Sequence, residues 1–144
     1  MKIQFDHQIF TSQEYGGISR YFYELMKAFD LLENIETETS LLFSNNHYIS
    51  GKKYTNHVGL LSQKQFRGKH LILNLFNKPN SIYKLKKQNF DIFHNTYYDP
   101  YFLDYIGDKP FVLTVYDMIH EKFNGMLSSS KRTSEQKRLL VEKA

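Results

Sequence analysis

Residues 15–29 read YGGISRYFYELMKAF, a glycine pair followed by a strongly amphipathic helix pattern. Apolar side chains recur every three or four residues and so fall on one helical face: Ile18, Tyr21, Phe22, Leu25, Met26 and Phe29. We predict a helix from about residue 18 to residue 32. The segment KIQF at residues 2–5 alternates polar and apolar side chains and predicts a strand. A strand followed by such a helix favours an α/β domain.

Gly16 and Gly17 stand directly ahead of this helix. Because they lack a Cβ, they let backbone N–H groups come close to a ligand, and the helix N-terminus behind them favours an anion. The pair therefore predicts a phosphate or sugar-phosphate site, with the N–H of Ser19 as a further donor. A plain turn is the alternative, since glycine pairs are common in loops.

The rest of the chain alternates strand patterns with helix patterns. Strands are predicted at residues 39–43, 90–94 and 110–116, a loop at 44–59, and helices at 65–77, at 81–88 after Pro79, and from residue 133 or 134 onward. The segment at 110–116 is almost continuously apolar, as in a parallel sheet covered on both faces. This order predicts an open, mostly parallel α/β sheet flanked by helices.

Composition narrows the class of protein. The 144 residues, 41% hydrophobic and 24% charged, suit one soluble globular domain. No apolar run reaches the roughly 18 residues of a membrane helix, no secretory signal is evident, and the absence of cysteine fits a reducing compartment. We therefore expect a cytoplasmic protein. Dinucleotide, Walker A, nucleophile-elbow and H-E-x-x-H motifs are missing from the sequence, which disfavours dehydrogenases, P-loop ATPases, α/β-hydrolases and zincins.

Positive charge is concentrated in the middle of the chain. Residues 39–90 contain no Asp or Glu, and their basic residues interleave with apolar ones: Lys52, Lys53, Lys64, Arg67, Lys69, Lys78, Lys84, Lys86 and Lys87. Such a segment can lie on an anionic membrane, here the inner face of the cytoplasmic membrane. Binding along a nucleic-acid backbone and a plain solvated face with inward-packed apolar residues are the alternatives.

Polar and aromatic residues follow three of the predicted strands. DHQ comes after the first strand at 6–8, HNTYYD at 94–99, and DMIHE at 117–121. Ligands of open α/β sheets bind outside the carboxyl ends of the strands, so we predict a site there that includes His94, Tyr97 and Tyr98. The tyrosines either stack on a sugar ring or pack in the core.

Asp117 and His120 are the candidates for chemistry at this edge. In a helix their spacing of three places them on one face, where the carboxylate would orient the imidazole and raise its pKa for proton transfer or charge stabilisation. The alternative is a capping Asp and a surface His. A metal site is not expected, because these adjacent residues lack a distant partner ligand.

Three segments together resemble the N-terminal domain of retaining glycosyltransferases with the GT-B fold, more narrowly family four, also called glycosyl transferases group one. They are QEYGGISRYF at 13–22, FDIFHNTYY at 90–98 and LTVYDMIHE at 113–121, in the family's order and approximate spacing. The resemblance covers nearly the whole chain. It implies a Rossmann-like acceptor-side domain over residues 1–144 and a second, donor-binding domain with paired glutamates, which this sequence lacks.

The resemblance also implies roles for individual residues. Gly16 and Gly17 match the family's loop near the donor phosphates and the acceptor. Many members carry a His-Asp pair after the strand that corresponds to residues 111–116; here Tyr116 takes the place of that His, and Asp117 matches the Asp. His120 is the candidate replacement for the missing His. The remaining binding candidates are Ser19, Arg20, His94, Tyr97 and Tyr98.

The implied activity is transfer of a sugar from a nucleotide-sugar to a polysaccharide or lipid-linked acceptor in cell-surface glycan synthesis. The nucleotide-sugar is the substrate, and no cofactor, metal or nucleic acid is expected. Residues 139–144 lie inside a helix pattern without a closing signal, which favours a truncation that is inactive by itself. The alternative function is a non-catalytic α/β module whose basic segment binds nucleic acid or a protein partner.

Overall fold

A computed structural model describes residues 1–49, 68–122 and 130–144. Its sheet has four strands, β1 at Lys2–Phe5, β2 at Glu36–Thr39, β3 at Ile92–Asn95 and β4 at Phe111–Leu113, in the order β2-β1-β3-β4. All three pairings are parallel. The α/β class and the open, parallel, Rossmann-like sheet predicted from the sequence are thereby confirmed.

Helices connect and flank the strands. They are α1 at Gln8–Ser12, α2 at Gly17–Phe29, α3 at Lys69–Lys87, a 3₁₀ helix at Pro100–Asp104, α4 at Ile119–Lys122 and α5 at Ser130–Lys143. The sequence patterns predicted α2, part of α3 and α5. The three short helices α1, the 3₁₀ helix and α4 were not predicted, because segments of four or five residues are too short to show a helical period.

The core has two parts, one on each face of the sheet. Phe5, beside His94 in the register of β1 and β3, packs with Phe22 and Met26 of α2. Phe93 points to the opposite face, as alternation along a strand requires, and packs in a second cluster. That cluster also contains Leu85 of α3, Phe102 of the 3₁₀ helix and Leu140 of α5.

The second strand lies earlier than predicted. The apolar residues 39–43 suggested a strand, but β2 is the polar segment Glu36–Thr39. Lys2 of β1 supports this pairing, because its Nζ lies 2.7 Å from Glu38 and 3.4 Å from Glu36. The amides of Leu42 and Phe43 instead donate to the side-chain oxygen of Asn77, each at 2.9 Å. These N–H groups are therefore satisfied without a strand partner.

The prediction of two helices on either side of Pro79 is also wrong. One helix, α3, runs through Pro79 from Lys69 to Lys87. Its buried residues Leu73, Asn77, Ser81 and Leu85 are spaced by four and continue past the proline. Packing along this face outweighs the hydrogen bond that proline removes. Residues 65–67, where that prediction began, and residues 50–59 of the predicted loop lie outside the described residues.

Element ends differ from the predictions by a few residues. Helix α2 ends at Phe29 rather than near residue 32, where Leu31 and Leu32 are exposed and make no core contact to prolong it. Strand β3 begins at Ile92 rather than residue 90 and ends at Asn95, and α5 begins at Ser130. Strand β4 stops at Leu113 because the chain then leaves the sheet, where the N–H of Tyr116 donates to the Tyr98 hydroxyl at 3.2 Å.

Within the described parts of the chain, none of the helices has both the length and the apolar character that crossing a membrane requires.

Candidate functional site

The start of α2 and the ends of β3 and β4 meet at the carboxyl edge of the sheet. The rings of Tyr21 and Tyr116 lie 6.4 Å apart, centre to centre, and those of Phe22 and His94 lie 5.1 Å apart. These contacts join the first turns of α2 to β3 and to the segment after β4. The structure thus brings together three of the segments in which the sequence predicted a site.

Gly16 and Gly17 form the beginning of α2. Gly16 is the N-cap residue and its carbonyl accepts from the Arg20 N–H and the Ser19 hydroxyl, both at 3.1 Å. Gly16 has no side chain to cap the helix, so the N–H groups of residues 17–19 remain the open donors found at every helix start. Arg20 is exposed, whereas Ser19 is buried. Gly17 is exposed and Ile18 half-buried, so at this helix start their N–H groups can receive an anion, whereas Ser19 is fully enclosed.

Packing constrains the two glycines differently. A Cβ on Gly16 would lie 2.2 Å from the side-chain oxygen of Gln13, so that side chain would have to move. A Cβ on Gly17 would meet no atom of the described residues within 4 Å. Gly17 is also helical and exposed. Folding therefore explains a small residue at Gly16 but leaves the glycine at position 17 unexplained.

His94 lies in the core rather than on an open surface. Its ring stacks on Phe5 at 5.2 Å and meets Phe22 edge-on, and its Nε2 is 3.1 Å from the Thr114 hydroxyl. Burial lowers the pKa of His94 from 6.5 to about 4 because the charged imidazolium would lose its hydration. At neutral pH this histidine is uncharged.

Tyr97, Tyr98 and Tyr116 form an aromatic group at the same edge. Tyr98 is buried and Tyr97 half-buried, with ring centres 4.9 Å apart, and Tyr116 lies 5.9 Å from Tyr98. The Tyr116 hydroxyl donates to the Thr96 carbonyl at 3.0 Å, and burial raises the pKa of Tyr116. Tyr97 and Tyr116 are both half-buried, so part of each side chain remains exposed.

Asp117 lies at the exposed end of this group. Its Oδ1 accepts from the N–H of Ile119 at 3.0 Å, which caps α4, and lies 3.7 Å from Nζ of Lys137. Lys137 is buried over the Tyr98 ring and donates to the Asp117 carbonyl at 2.8 Å. His120 belongs to α4, but its side chain is outside the described part, so a contact between Asp117 and His120 stays a prediction.

A buried polar network lies beneath α1, at the carboxyl end of β1. Asp6 is fully buried, and its Oδ1 accepts from the His7 N–H and contacts the Tyr101 hydroxyl, both at 2.6 Å. His7 Nδ1 lies 3.1 Å from the Thr11 hydroxyl. Among the described residues, Asp6 Oδ2 and His7 Nε2 have no hydrogen-bond partner. Burial raises the pKa of Asp6 and lowers that of His7, since both charged forms would be desolvated.

The hydroxyl contacts continue from Tyr101 in a chain. Tyr101 lies 2.6 Å from Ser81, Ser81 2.8 Å from Ser40, and Ser40 3.3 Å from the Phe5 carbonyl. The four links of this chain are Asp6 to Tyr101, Tyr101 to Ser81, Ser81 to Ser40, and Ser40 to the Phe5 carbonyl. A hydrogen bond at every link needs four protons, and the three hydroxyls supply only three of them. The Asp6 carboxyl, with its raised pKa, is the group that supplies the fourth. This network therefore favours a neutral Asp6.

A polar cleft of about 180 Å³ lies between the end of α1 and the start of α3. Glu14 and Lys69 form an ion pair across it at 2.9 Å, and the side-chain oxygen of Gln13 and the amide of Asn45 are buried there without partners in the described residues. The sequence offered no period or motif for this cleft, because its walls come from segments more than 50 residues apart. Over the described ranges, no group of three His, Asp or Glu residues is placed to hold a metal ion.

Comparisons of the chain with protein families, with curated proteins and with solved structures find no match.

Proposed function

We propose that this chain is the acceptor-side domain of a retaining glycosyltransferase that moves a sugar from a nucleotide-sugar to a polysaccharide or lipid-linked acceptor. Support comes first from the three sequence segments that resemble this family. The observation that carries the proposal is Gly17, a glycine that folding does not require, at an open helix start on the carboxyl edge of the sheet.

The proposed roles follow from where the side chains lie. The N–H groups of Gly17 and Ile18 would bind a phosphate of the nucleotide-sugar or of the acceptor, and Arg20 is exposed beside them. The half-buried ring of Tyr97 would stack on a sugar or lipid-linked group. Electrostatic stabilisation of the leaving nucleoside diphosphate is the chemistry such donors supply.

Asp117 and His120 are proposed to face the reacting sugar. Asp117 is exposed and positioned by the Ile119 N–H, and in this proposal its second carboxylate oxygen would contact the ligand or His120. In this proposal His94 does not contact the substrate, because it is buried between Phe5 and Phe22. It acts only by packing against these neighbours. We expect no sugar transfer by residues 1–144 alone, since the donor site of such enzymes lies chiefly in the second domain.

The decisive experiment is an amide-resolved NMR titration of the chain with a nucleoside diphosphate. We expect the largest shifts at Gly17, Ile18 and Ser19, and weak, millimolar binding from this half of the site. Gly17→Ala should weaken that binding at least fivefold without loss of stability, because the added methyl has room in the fold but blocks a close phosphate.

Lys27→Ala, at the other end of α2, is the matched control and should leave binding unchanged. The uncharged nucleoside is the ligand control. Unchanged diphosphate binding by Gly17→Ala, or shifts confined to other parts of the sheet, would show that this helix start is not a phosphate site.

A non-catalytic binding module is the second candidate function. The observation that favours it is that two chemical candidates have structural roles: His94 packs in the core and Asp117 caps α4. A binding module of this kind should bind an oligonucleotide or a protein in a salt-dependent way. The amide signal of Gly17 should then not shift when diphosphate is added. The same titration, repeated with an oligonucleotide, separates the two functions.

A further inference from the structure

The outward side of α3 carries large apolar side chains that the fold leaves uncovered. Leu71 and Leu75 are 64% and 69% exposed, and Ile72 and Phe76 are 39% and 44% exposed. At about 100° per residue Leu71 and Leu75 lie on the side of the helix opposite the buried residue Leu73. Ile72 and Phe76 lie between that side and the buried side, and the Phe76 ring also packs edge-on against Phe43 at 5.5 Å. Contiguous exposed apolar surface of this kind marks an interaction site.

The second half of the same outward side is basic. Lys86 and Lys87 are exposed, and their ammonium groups lie over the rings of Tyr105 and Tyr83 at 5.3 and 4.7 Å. Tyr83 is itself 56% exposed. Helix α3 has 19 residues and is about 28 Å long. Its first half carries the exposed apolar side chains and its second half the exposed lysines, and together they form one strip along the helix, the outward strip.

Carboxylates are kept off this strip. The helix contains no Asp or Glu, and neither does the sequence from residue 39 to residue 90. Acidic side chains of other segments reach the flanks of α3, where each is paired with a lysine: Glu14 with Lys69, Asp99 with Lys78, and Glu38 with Lys84. The outward strip therefore combines exposed apolar groups with uncompensated positive charge.

The strip has a defined orientation relative to the sheet. Helix α3 follows β2 and precedes β3, which are in one parallel sheet, so it starts at the carboxyl edge and ends at the amino edge. Its apolar half consequently lies toward the edge that holds Gly17 and Asp117. A surface that contacts Leu71 and Leu75 is brought close to that edge.

We propose that the outward strip of α3 docks the protein on an anionic lipid bilayer. Leu71, Ile72, Leu75 and Phe76 insert at the boundary between headgroups and acyl chains, while Lys86 and Lys87 contact anionic headgroups. Positive charge next to exposed leucines selects a lipid surface over an apolar protein groove, which would leave the lysines without partners. This docking does not depend on sugar transfer, and its test measures vesicle binding rather than activity.

The test is flotation of the purified chain with vesicles of phosphatidylcholine alone or of phosphatidylcholine mixed with the anionic lipid phosphatidylglycerol, which attracts basic side chains. The chain should float with the anionic vesicles and at least tenfold less with neutral ones. Leu71→Asn/Leu75→Asn should reduce binding at least tenfold, and Lys86→Glu/Lys87→Glu should do so at low salt. Both pairs are exposed, so circular dichroism should show an unchanged fold.

Matched controls change the same chemistry elsewhere. Leu31→Asn removes a leucine that is 84% exposed beyond α2, and Lys131→Glu/Arg132→Glu reverses two exposed charges on α5; both should float like the parent chain. Failure of the parent chain to float overturns the proposal, as does equal binding by the Leu71→Asn/Leu75→Asn variant. A dimer that this variant abolishes, seen by sedimentation without vesicle binding, would assign the strip to a second copy of the chain instead.

Discussion

The carboxyl ends of β1 and β4 lie at the same edge of one sheet, but their polar residues are held in different ways. After β1, Asp6 and His7 are fully enclosed and linked to Tyr101 and Ser81. After β4, Asp117 is exposed and fixed by a single cap and a neighbouring lysine. The polar residues after β1 therefore hold helices and strands together, whereas Asp117 after β4 is held in one orientation and stays open to a ligand.

Substitution of Asp6 should cause the largest loss of stability, and it tests whether the polar residues after β1 stabilise the fold. Asp6→Ala leaves the His7 N–H without its buried acceptor and the Tyr101 hydroxyl without its buried partner, so we expect the free energy of unfolding to fall by about 3 kcal/mol. Asp6→Asn should lose less, about 1–2 kcal/mol, because the amide can keep either the bond from the His7 N–H or the contact with Tyr101, but one atom at the Oδ1 position cannot do both. Urea unfolding at pH 7 measures both.

The pH dependence of these two variants adds a check. A carboxyl with a raised pKa binds protons more tightly in the folded state, so its contribution is present at low pH and is lost as pH rises through the raised value. Asp6→Asn should remove this part of the dependence. If Asp6→Asn showed the same pH dependence as the parent chain, Asp6 would not bind its proton more tightly in the folded state, and the four-proton network would be wrong.

Substitution of His94 should cause the next largest change in the free energy of unfolding. The stability that His94 contributes changes with pH in the opposite direction to that of Asp6. The pKa of His94 falls from 6.5 to about 4 on folding, so its contribution is complete above 6.5 and is lost as pH falls toward 4. The loss from pH 7 to pH 4 should be about 3 kcal/mol. His94→Phe should not lose this stability between pH 7 and pH 4, and the free energy of unfolding measured at both pH values would show it. An equal loss in the variant and the parent chain would mean that His94 is exposed to water.

Asp117 should give the smallest change in stability. Asp117→Ala removes one exposed cap from a four-residue helix, and we expect a loss of only about 0.5–1 kcal/mol. Binding of the sugar acceptor should fall at least tenfold in the same variant, whereas Asp117→Asn should retain the cap. A loss of stability as large as that of Asp6→Ala would remove the contrast between the two strand ends.

The sequence predicted those parts of the fold whose pattern is local. Strand β1 and helix α2 follow from alternation and from a period of three to four residues, and their order indicated a parallel sheet. Strand β2 was placed wrongly because ETET has no apolar face, and its position depends on Lys2 more than 30 residues earlier. Helix α3 passes Pro79 because of tertiary packing that no local rule contains.

The site was predictable in position but not in detail. Strand order alone indicates that residues after β1, β3 and β4 share one edge. Neither the burial of His94 against Phe5 nor the contact between Asp6 and Tyr101, 95 residues apart, leaves a trace in local spacing. The cap from Asp117 was an open alternative at the sequence level, and the structure contains it.

The central place of β1 has a consequence for how this chain folds. Strand β1 pairs with Glu36–Thr39 on one side and with Ile92–Asn95 on the other. Two thirds of the chain must therefore emerge before β1 has both neighbours, and closing such long loops is slow. Until then one edge of β1 is unpaired and open to pairing with other chains. We expect nascent chains that end before β3 to remain dependent on chaperones.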